Sequence, residues 1–417
     1  MAHLRVPHKD DKDEISRWYG TLIRAFGGVP EAPEERELWD SLIETERSLG
    51  AWDGDEVVGT AGAFAFRMTV PGGASVPAAG VTMVSVAATH RRRGVLTAMM
   101  ERQLADVRSW GWPLAVLTAS EPGIYGRFGY GIGSHSLSLT AETRRVRLSV
   151  PPGTDDVRLR YAAPGEVLAA CEAVYAAKVA GRAGMLARQP GWERVPLLDP
   201  ESEREGASPL QCVVAERAAG SEREIVGYAR FQVKPGWDPA GPNGVVRLRD
   251  VEALYPAAYA ALWRFLFDID LTSTLEARGR PVDDPVLHLA SDVRRLGVGL
   301  KDSAHVRLVD VGAALAARTY AVPVDLVLDV EDAFCPWNAG RWRLTGDAGG
   351  ASCAPTTDAA DLALSVRELG SAYLGGTSLA ALAGAGLVRE VRDGALAAAS
   401  AAFGPGGGPA PWLPHGF

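Results

Sequence analysis

Three arginines and a glycine, Arg91-Arg92-Arg93-Gly94, stand between two segments of different periodicity. Before them runs an alternating, β-branched stretch, Val81 to Val86; after them comes an amphipathic helical pattern, Val95 to Arg108. A helix start carries N–H groups without intrahelical partners and the positive end of the helix dipole, and the arginines add charge. Together these groups suit a diphosphate. A second apolar run, Leu114 to Thr118, leads to Tyr125 in the glycine-rich bend Gly123-Ile124-Tyr125-Gly126-Arg127. The unit points to an enzyme that handles a phosphorylated cofactor.

The elements around it must hold that turn and that tyrosine in place. Glu14 to Phe26 has helical spacing, with Ile15, Trp18, Tyr19, Leu22 and Ile23 on one face. Pro33 to Leu49 reads as a second helix. Glu56 to Val70 reads as a strand, broken by Pro71-Gly72-Gly73. Pro151-Pro152-Gly153 marks a boundary, and a weak echo of the first unit follows: EVVGTAGAF at Glu56 is matched by EIVGYARF at Glu224. A β-rich run, Val245 to Leu254, and a helical run, Ala257 to Phe267, come after it. Ala253-Leu254-Tyr255-Pro256-Ala257 stands where the first copy has its Arg/Gly turn, so this copy lacks phosphate donors. A third unit begins near Ala304, with strands expected at His305–Val309, Val322–Val330 and Trp342–Thr345. Helices are expected there at Val311–Thr319, Asp361–Leu374 and Leu379–Leu387. The last 14 residues, from Gly404, are rich in glycine and proline and form neither helix nor central strand.

A chain of 417 residues exceeds one ordinary core, and the expected division is 1–150, 151–303 and 304–417. The alternation of strands and helices gives an α/β (α+β) class. Acidic residues outnumber basic ones, 51 to 43, for a net charge of -8. That balance argues against nucleic acid and mildly favours cationic substrates. Four separated cysteines, with no CxxC pair and no zinc spacing, give no metal site and no disulfide framework. The charged N-terminus does not read as a signal peptide, and no apolar run reaches the ~18 residues of a membrane helix. The expected compartment is the cytoplasm.

The turn resembles the Arg/Gln-x-x-Gly-x-Gly/Ala motif of the GNAT superfamily of acetyltransferases, with Leu96 in place of the last small residue. VSVAATHRRRGVLTAMM followed by LTASEPGIYGRFGYG is similar, in order and spacing, to the N-terminal domain of the Eis (enhanced intracellular survival) family. SAYLGG, Ser371 to Gly376, resembles a segment of that family's third domain. The resemblance implies two tandem GNAT-like domains, then a sterol-carrier-protein-like domain whose tail enters the active site. It also implies acetyl-CoA as co-substrate and no metal. The acceptors would be primary amines, including several amines of one aminoglycoside, and the assembly a homohexamer.

By position, Val84, Ser85 and Val86 would hold the acetyl and pantetheine part through backbone groups. Arg92, Arg93, Gly94, Val95, Leu96 and Thr97 would cradle the pyrophosphate, with Ser120 and Glu121 on the far side. Tyr125 would be the general acid, protonating the leaving thiolate, with Tyr130 its nearest rival; a phenol near pKa ~10 is close enough to a thiol at ~8.5 to donate. The α-carboxylate of Phe417 would be the base, and the tail, spanning at most ~50 Å, can reach. Phe26, Trp39 and Met83 would wall the amine pocket. Some family members carry an acidic residue where this chain has Gly416. His90 reads as a turn residue. Alternative readings are a protein-lysine acetyltransferase and a non-catalytic binder of lipid or another apolar ligand.

Overall fold

The computed structural model describes residues 2–219 and 222–417. The first unit contains β1 (His3–Arg5), α1 (Lys12–Ala25), α2 (Pro33–Leu42), β2 (Leu49–Asp53), β3 (Glu56–Thr69) and β4 (Ser75–Val86). Then come α3 (Val95–Ser109), β5 (Leu114–Thr118), β6 (Gly131–Ile132) and β7 (His135–Glu142). Asp11 caps α1, accepting from the Glu14 N–H at 2.9 Å. That helix lays Trp18, Tyr19 and Leu22 into the core. The second helix stops at Leu42 and not at Leu49, because Ile43 is already extended. Glu44 then turns its carboxylate to the Ala65 N–H at 2.7 Å and to Arg47, and a 3-10 turn leads into β2. This polar anchoring outweighs the apolar spacing that suggested more helix.

The first sheet runs β1-β2-β3-β4-β5, then the strand Ala304–Leu308, then β6. Only the β4–β5 pair is parallel along this path. A second sheet is built from Gly299–Asp302, β7, Thr272–Pro281, Gly244–Ala253, Glu222–Lys234, Gln211–Ala219 and Arg158–Ala162, in that order. α4 (Leu168–Val179) and α5 (Pro256–Phe267) pack on it. Three strands thus cross the expected division of the chain: β7, from the first range, belongs to the second sheet, while Leu186–Ala187, from the second range, and Ala304–Leu308, from the third, join the first. The exchange gives β5 a partner on its free side; Ala304, Val306 and Leu308 are fully buried there.

The third unit has five strands ordered Gly350–Pro355, Gly340–Asp347, Val324–Glu331, Leu362–Ser365 and Val388–Glu390. The stretch expected as one helix from Asp361 is first a strand, pairing parallel with Leu328–Glu331 and burying Leu362 and Leu364. The helix starts only at Val366, capped by Ser365, and ends at Tyr373. Likewise the helix from Leu379 ends at Gly384. Among the described residues, no helix is long and apolar enough to cross a membrane, and no three His, Cys, Asp or Glu side chains are grouped to hold a metal ion.

Candidate active site

β4 and β5 pair only at Ala78–Leu114, Ala79–Ala115 and Gly80–Val116. Beyond Gly80 they diverge, and a cavity of about 840 Å³ opens between them. Backbone groups on the separated edges have no ladder partner there, so they are free for a ligand. On its other side β4 carries a bulge: Thr60 faces Ser85 and Gly62 faces Thr82, so Met83 and Val84 are skipped by the ladder. Met83 takes φ +53°, a left-handed conformation disfavoured for a side chain of this size. The Thr60 hydroxyl lies 2.7 Å from the Met83 carbonyl and 2.7 Å from the Ser85 hydroxyl.

The basic turn closes the cavity's far end. Arg92 at φ +64° and Gly94 at φ +80° both take left-handed backbone, which folds the chain into the start of α3. Gly94 is the N-cap and provides no side-chain bond, and no acidic residue occupies the first turn. The first N–H groups of α3 therefore keep their capacity for an anion. The buried Val95 and Met99 seat the helix against Gly59, where a Cβ would meet both at 3.1 Å. Leu96, the departure from the small residue usual at that place, packs part of its side chain into the core while lining the cavity.

Tyr125 begins a 3-10 turn that ends at Gly129, φ +84°. Its ring meets Tyr130 edge-on at 5.9 Å. Burial, and then the charge of Glu121, raise the phenol above its ordinary pKa, so it holds its proton at neutral pH. Tyr130 is wholly buried with its hydroxyl unpartnered, and it lies outside the cavity lining. The glycines of this segment form a seat for the third unit. A Cβ at Gly126 would meet the Arg367 guanidinium at 3.1 Å, and one at Gly129 would meet Arg307 at 2.8 Å. One at Gly131 would run into the backbone of the helix Val366–Tyr373. Arg307 is itself buried and paired with Asp332 at 2.7 Å.

The tail reaches the same cavity from the opposite side. Trp412 is buried, its indole donating to the Gly279 carbonyl at 2.7 Å and its N–H to the Ala183 carbonyl at 2.9 Å. His415 stacks on Trp192, and Phe417 meets Phe66 edge-on at 4.8 Å. Gly80 makes room for the last ring: a Cβ there would lie 3.1 Å from it.

Residues 8–133 and 184–308 each match a family model described as an acetyltransferase (GNAT) domain, and 311–414 match a sterol carrier protein domain. An uncharacterized N-acetyltransferase of Streptomyces avermitilis is 70% identical over 406 residues, 97% of this chain and 98% of that protein. N-acetyltransferase Eis of Mycobacterium tuberculosis is 33% identical over 425 residues, covering 96% of each chain. The chain belongs to the Eis family of GNAT N-acetyltransferases. Eis1 from Mycobacterium abscessus superposes over the full length of both chains, at 34% identity and a TM-score of 0.82. The chain is thus an N-acetyltransferase with tandem GNAT domains and a C-terminal sterol-carrier-like domain.

Within this Eis-family fold, the cavity is lined by Val84, Ser85, Val86, Arg92, Gly94, Val95, Leu96, Thr97, Ser120, Glu121, Tyr125 and Phe417. Phe26, Trp39 and Met83 line it too, Phe26 as an exposed rim residue and Trp39 stacked on Phe64. Arg93 alone among the expected residues is outside the lining, and Arg91 takes a place there instead. His90 also lines it, with its Nε2 3.1 Å from Asp53. Sequence reading missed Tyr19, Glu31, Thr118 and Arg127. The Tyr19 hydroxyl donates to Glu31 at 2.9 Å, and no local motif signals that pairing. Thr118 could have been found, since it ends the strand that diverges from β4.

Proposed function

We propose that the chain transfers acetyl from acetyl-CoA to primary amines of a small cationic substrate, with aminoglycosides as the class and more than one position acetylated. Transfer is direct, in a ternary complex. One observation carries this reading: Tyr125 and the terminal Phe417 line a single cavity at the divergence of β4 and β5. GNAT acetyltransferases use acetyl-CoA, and the orphan amides of α3 with Arg91 and Arg92 fit its pyrophosphate. The co-substrate supplies an activated thioester.

The remaining roles fall to the chain's own groups. Amides at the β4 bulge stabilise charge developing on the thioester oxygen. Tyr125, kept protonated by burial, donates to the departing sulfur. The α-carboxylate of a chain ending at Phe417 takes a proton from the substrate ammonium, and the free amine then forms the C–N bond as the C–S bond breaks. Glu31 and Glu121 make the lining attractive to cations, and Phe26, Val29 and Trp39 supply apolar wall. By family resemblance the assembly is a homohexamer.

Thiol release measured with an aminoglycoside panel and with lysine peptides tests the proposal. Turnover with aminoglycosides, and mass shifts of more than one acetyl group, are expected. Turnover confined to peptides would reassign the substrate, and none with any amine would overturn the reading. Adding residues after Phe417 should abolish turnover while coenzyme A still binds; full activity in that variant refutes the carboxylate's role.

A further inference from the structure

We propose that Thr60, on β3 and outside the cavity, is a positioning residue for acetyl transfer, acting by holding the Met83–Val84 peptide. This rests on the acyl-transfer reading above. Thr60 is fully buried and is not among the residues that line the cavity. Its hydroxyl has one proton. The Met83 carbonyl can only accept, so that proton goes to Met83, and the Ser85 hydroxyl donates to Thr60 in turn. The bulge has taken Met83 out of the strand ladder, so Thr60 replaces a lost main-chain partner.

The consequence follows from peptide planarity. The Met83 carbonyl and the Val84 N–H belong to one rigid trans unit and point in opposite directions. Fixing the carbonyl toward buried Thr60 aims the Val84 N–H away from it, and Val84 lines the cavity. Met83 itself sits at φ +53°, and such conformations persist only where surrounding groups over-determine them. Thr60 and Ser85 are the side chains that do so. An amide aimed before the substrate arrives stabilises developing charge without reorganising.

Thr60→Val keeps the shape and removes the hydroxyl. Expected is a fall in kcat of about tenfold to a hundredfold, below the ~10²–10³ of deleting a donor outright. Coenzyme A affinity and the KM for amine should stay within about threefold. Thr60→Ser, which restores the hydroxyl, should recover most of kcat. If the valine variant fails to melt cooperatively, Thr60→Ala takes its place with the same expectation. Wild-type kcat in the variant, loss confined to coenzyme affinity, or a serine variant as impaired as valine would each overturn the proposal. So would a crystal structure of Thr60→Val with the Met83 carbonyl and the Val84 N–H aimed as in the wild type, whatever the wild type acetylates. An inactive wild type sinks the acyl-transfer reading, and that crystal structure still decides on Thr60.

Discussion

Gly80→Ala separates cofactor binding from catalysis. Gly80 is the last residue of β4 to pair with β5, opposite Val116, and it lies beneath the tail. A Cβ there would come closer than 3.0 Å to two atoms of the Phe66 ring and within 3.1 Å of the Phe417 ring. Carbon atoms rest about 3.5–4.0 Å apart, so Phe66 must move by about 1 Å. It cannot retreat inward: it is 2% exposed and meets Trp192 edge-on at 4.7 Å. The half-buried Phe417, at the end of a chain, is the ring that yields. Overpacking of this kind costs about 1–3 kcal/mol of stability, which a domain of this size survives. Displacing a reacting group by about 1 Å costs about a hundredfold in rate. The diphosphate turn, at the other end of the cavity, is untouched. Steady-state thiol release should show kcat reduced about a hundredfold, with coenzyme A binding by calorimetry unchanged. Adding Phe66→Leu, which clears the ring, should restore part of the rate. A Gly80→Ala enzyme with wild-type kcat would refute the seating of Phe417 as the rate-determining feature; weakened coenzyme binding would show that the two ends of the cavity are not independent.

Tyr125→Phe should lower kcat by one or more orders of magnitude. The raised phenol pKa keeps the acid form to higher pH, so the alkaline fall in wild-type kcat should lie above pH ~10 and vanish in the variant. A fall near neutrality that survives the substitution would assign the acid elsewhere. His415 is held down to about 4 by burial and by the charge of Arg188, and its buried Nε2 has no partner. An unfolded histidine titrates near ~6.5, so the unfolded chain binds the proton first as pH falls. The neutral seat is therefore fully stabilising above pH ~6.5 and is lost progressively toward pH 4. His415→Phe should flatten the fall in Tm between pH 7 and 4; an unchanged slope would exclude this group.

The local chemistry was readable because it rests on short-range rules. The strand, the Arg/Gly turn and the start of α3 follow from periodicity and helix-end electrostatics, and Leu114–Thr118 is a strand where the apolar run predicts one. The spacing of Gly126, Gly129 and Gly131 was visible, but its cause was not. Those glycines answer to Arg307 and to Arg367 and the backbone of its helix, all far away in sequence. Contacts of that separation leave no mark on a window of residues. The same holds for β7 and Ala304–Leu308 crossing between sheets, and for Glu44, whose bond to Ala65 ended α2 early. Arg93 was grouped with its neighbours by motif, whereas the left-handed Arg92 turns the chain so that Arg91 and Arg92 line the cavity.

The two GNAT units divide labour in a way their shared fold does not announce. The second has Tyr255 and Pro256 at the start of α5, where the first has arginines and Gly94, so it brings no arginine there and proline removes one helix-start N–H. It holds the tail instead. Gly184, at φ +89°, lets the Trp412 backbone approach within 2.9 Å of where a Cβ would stand, and Gly279 accepts the Trp412 indole. Asp283 accepts from the Ala410 N–H at 2.8 Å while paired with Arg182 at 2.8 Å. The third unit fixes the other side through the helix at Val366, and Arg307, on the strand that joins the first sheet, presses on the same Tyr125 turn. The proposed cofactor seat lies on the first unit's own elements, but both groups proposed to move protons are positioned by residues outside it. On this view the second GNAT unit serves to anchor the terminus, and the sterol-carrier-like unit to brace the tyrosine.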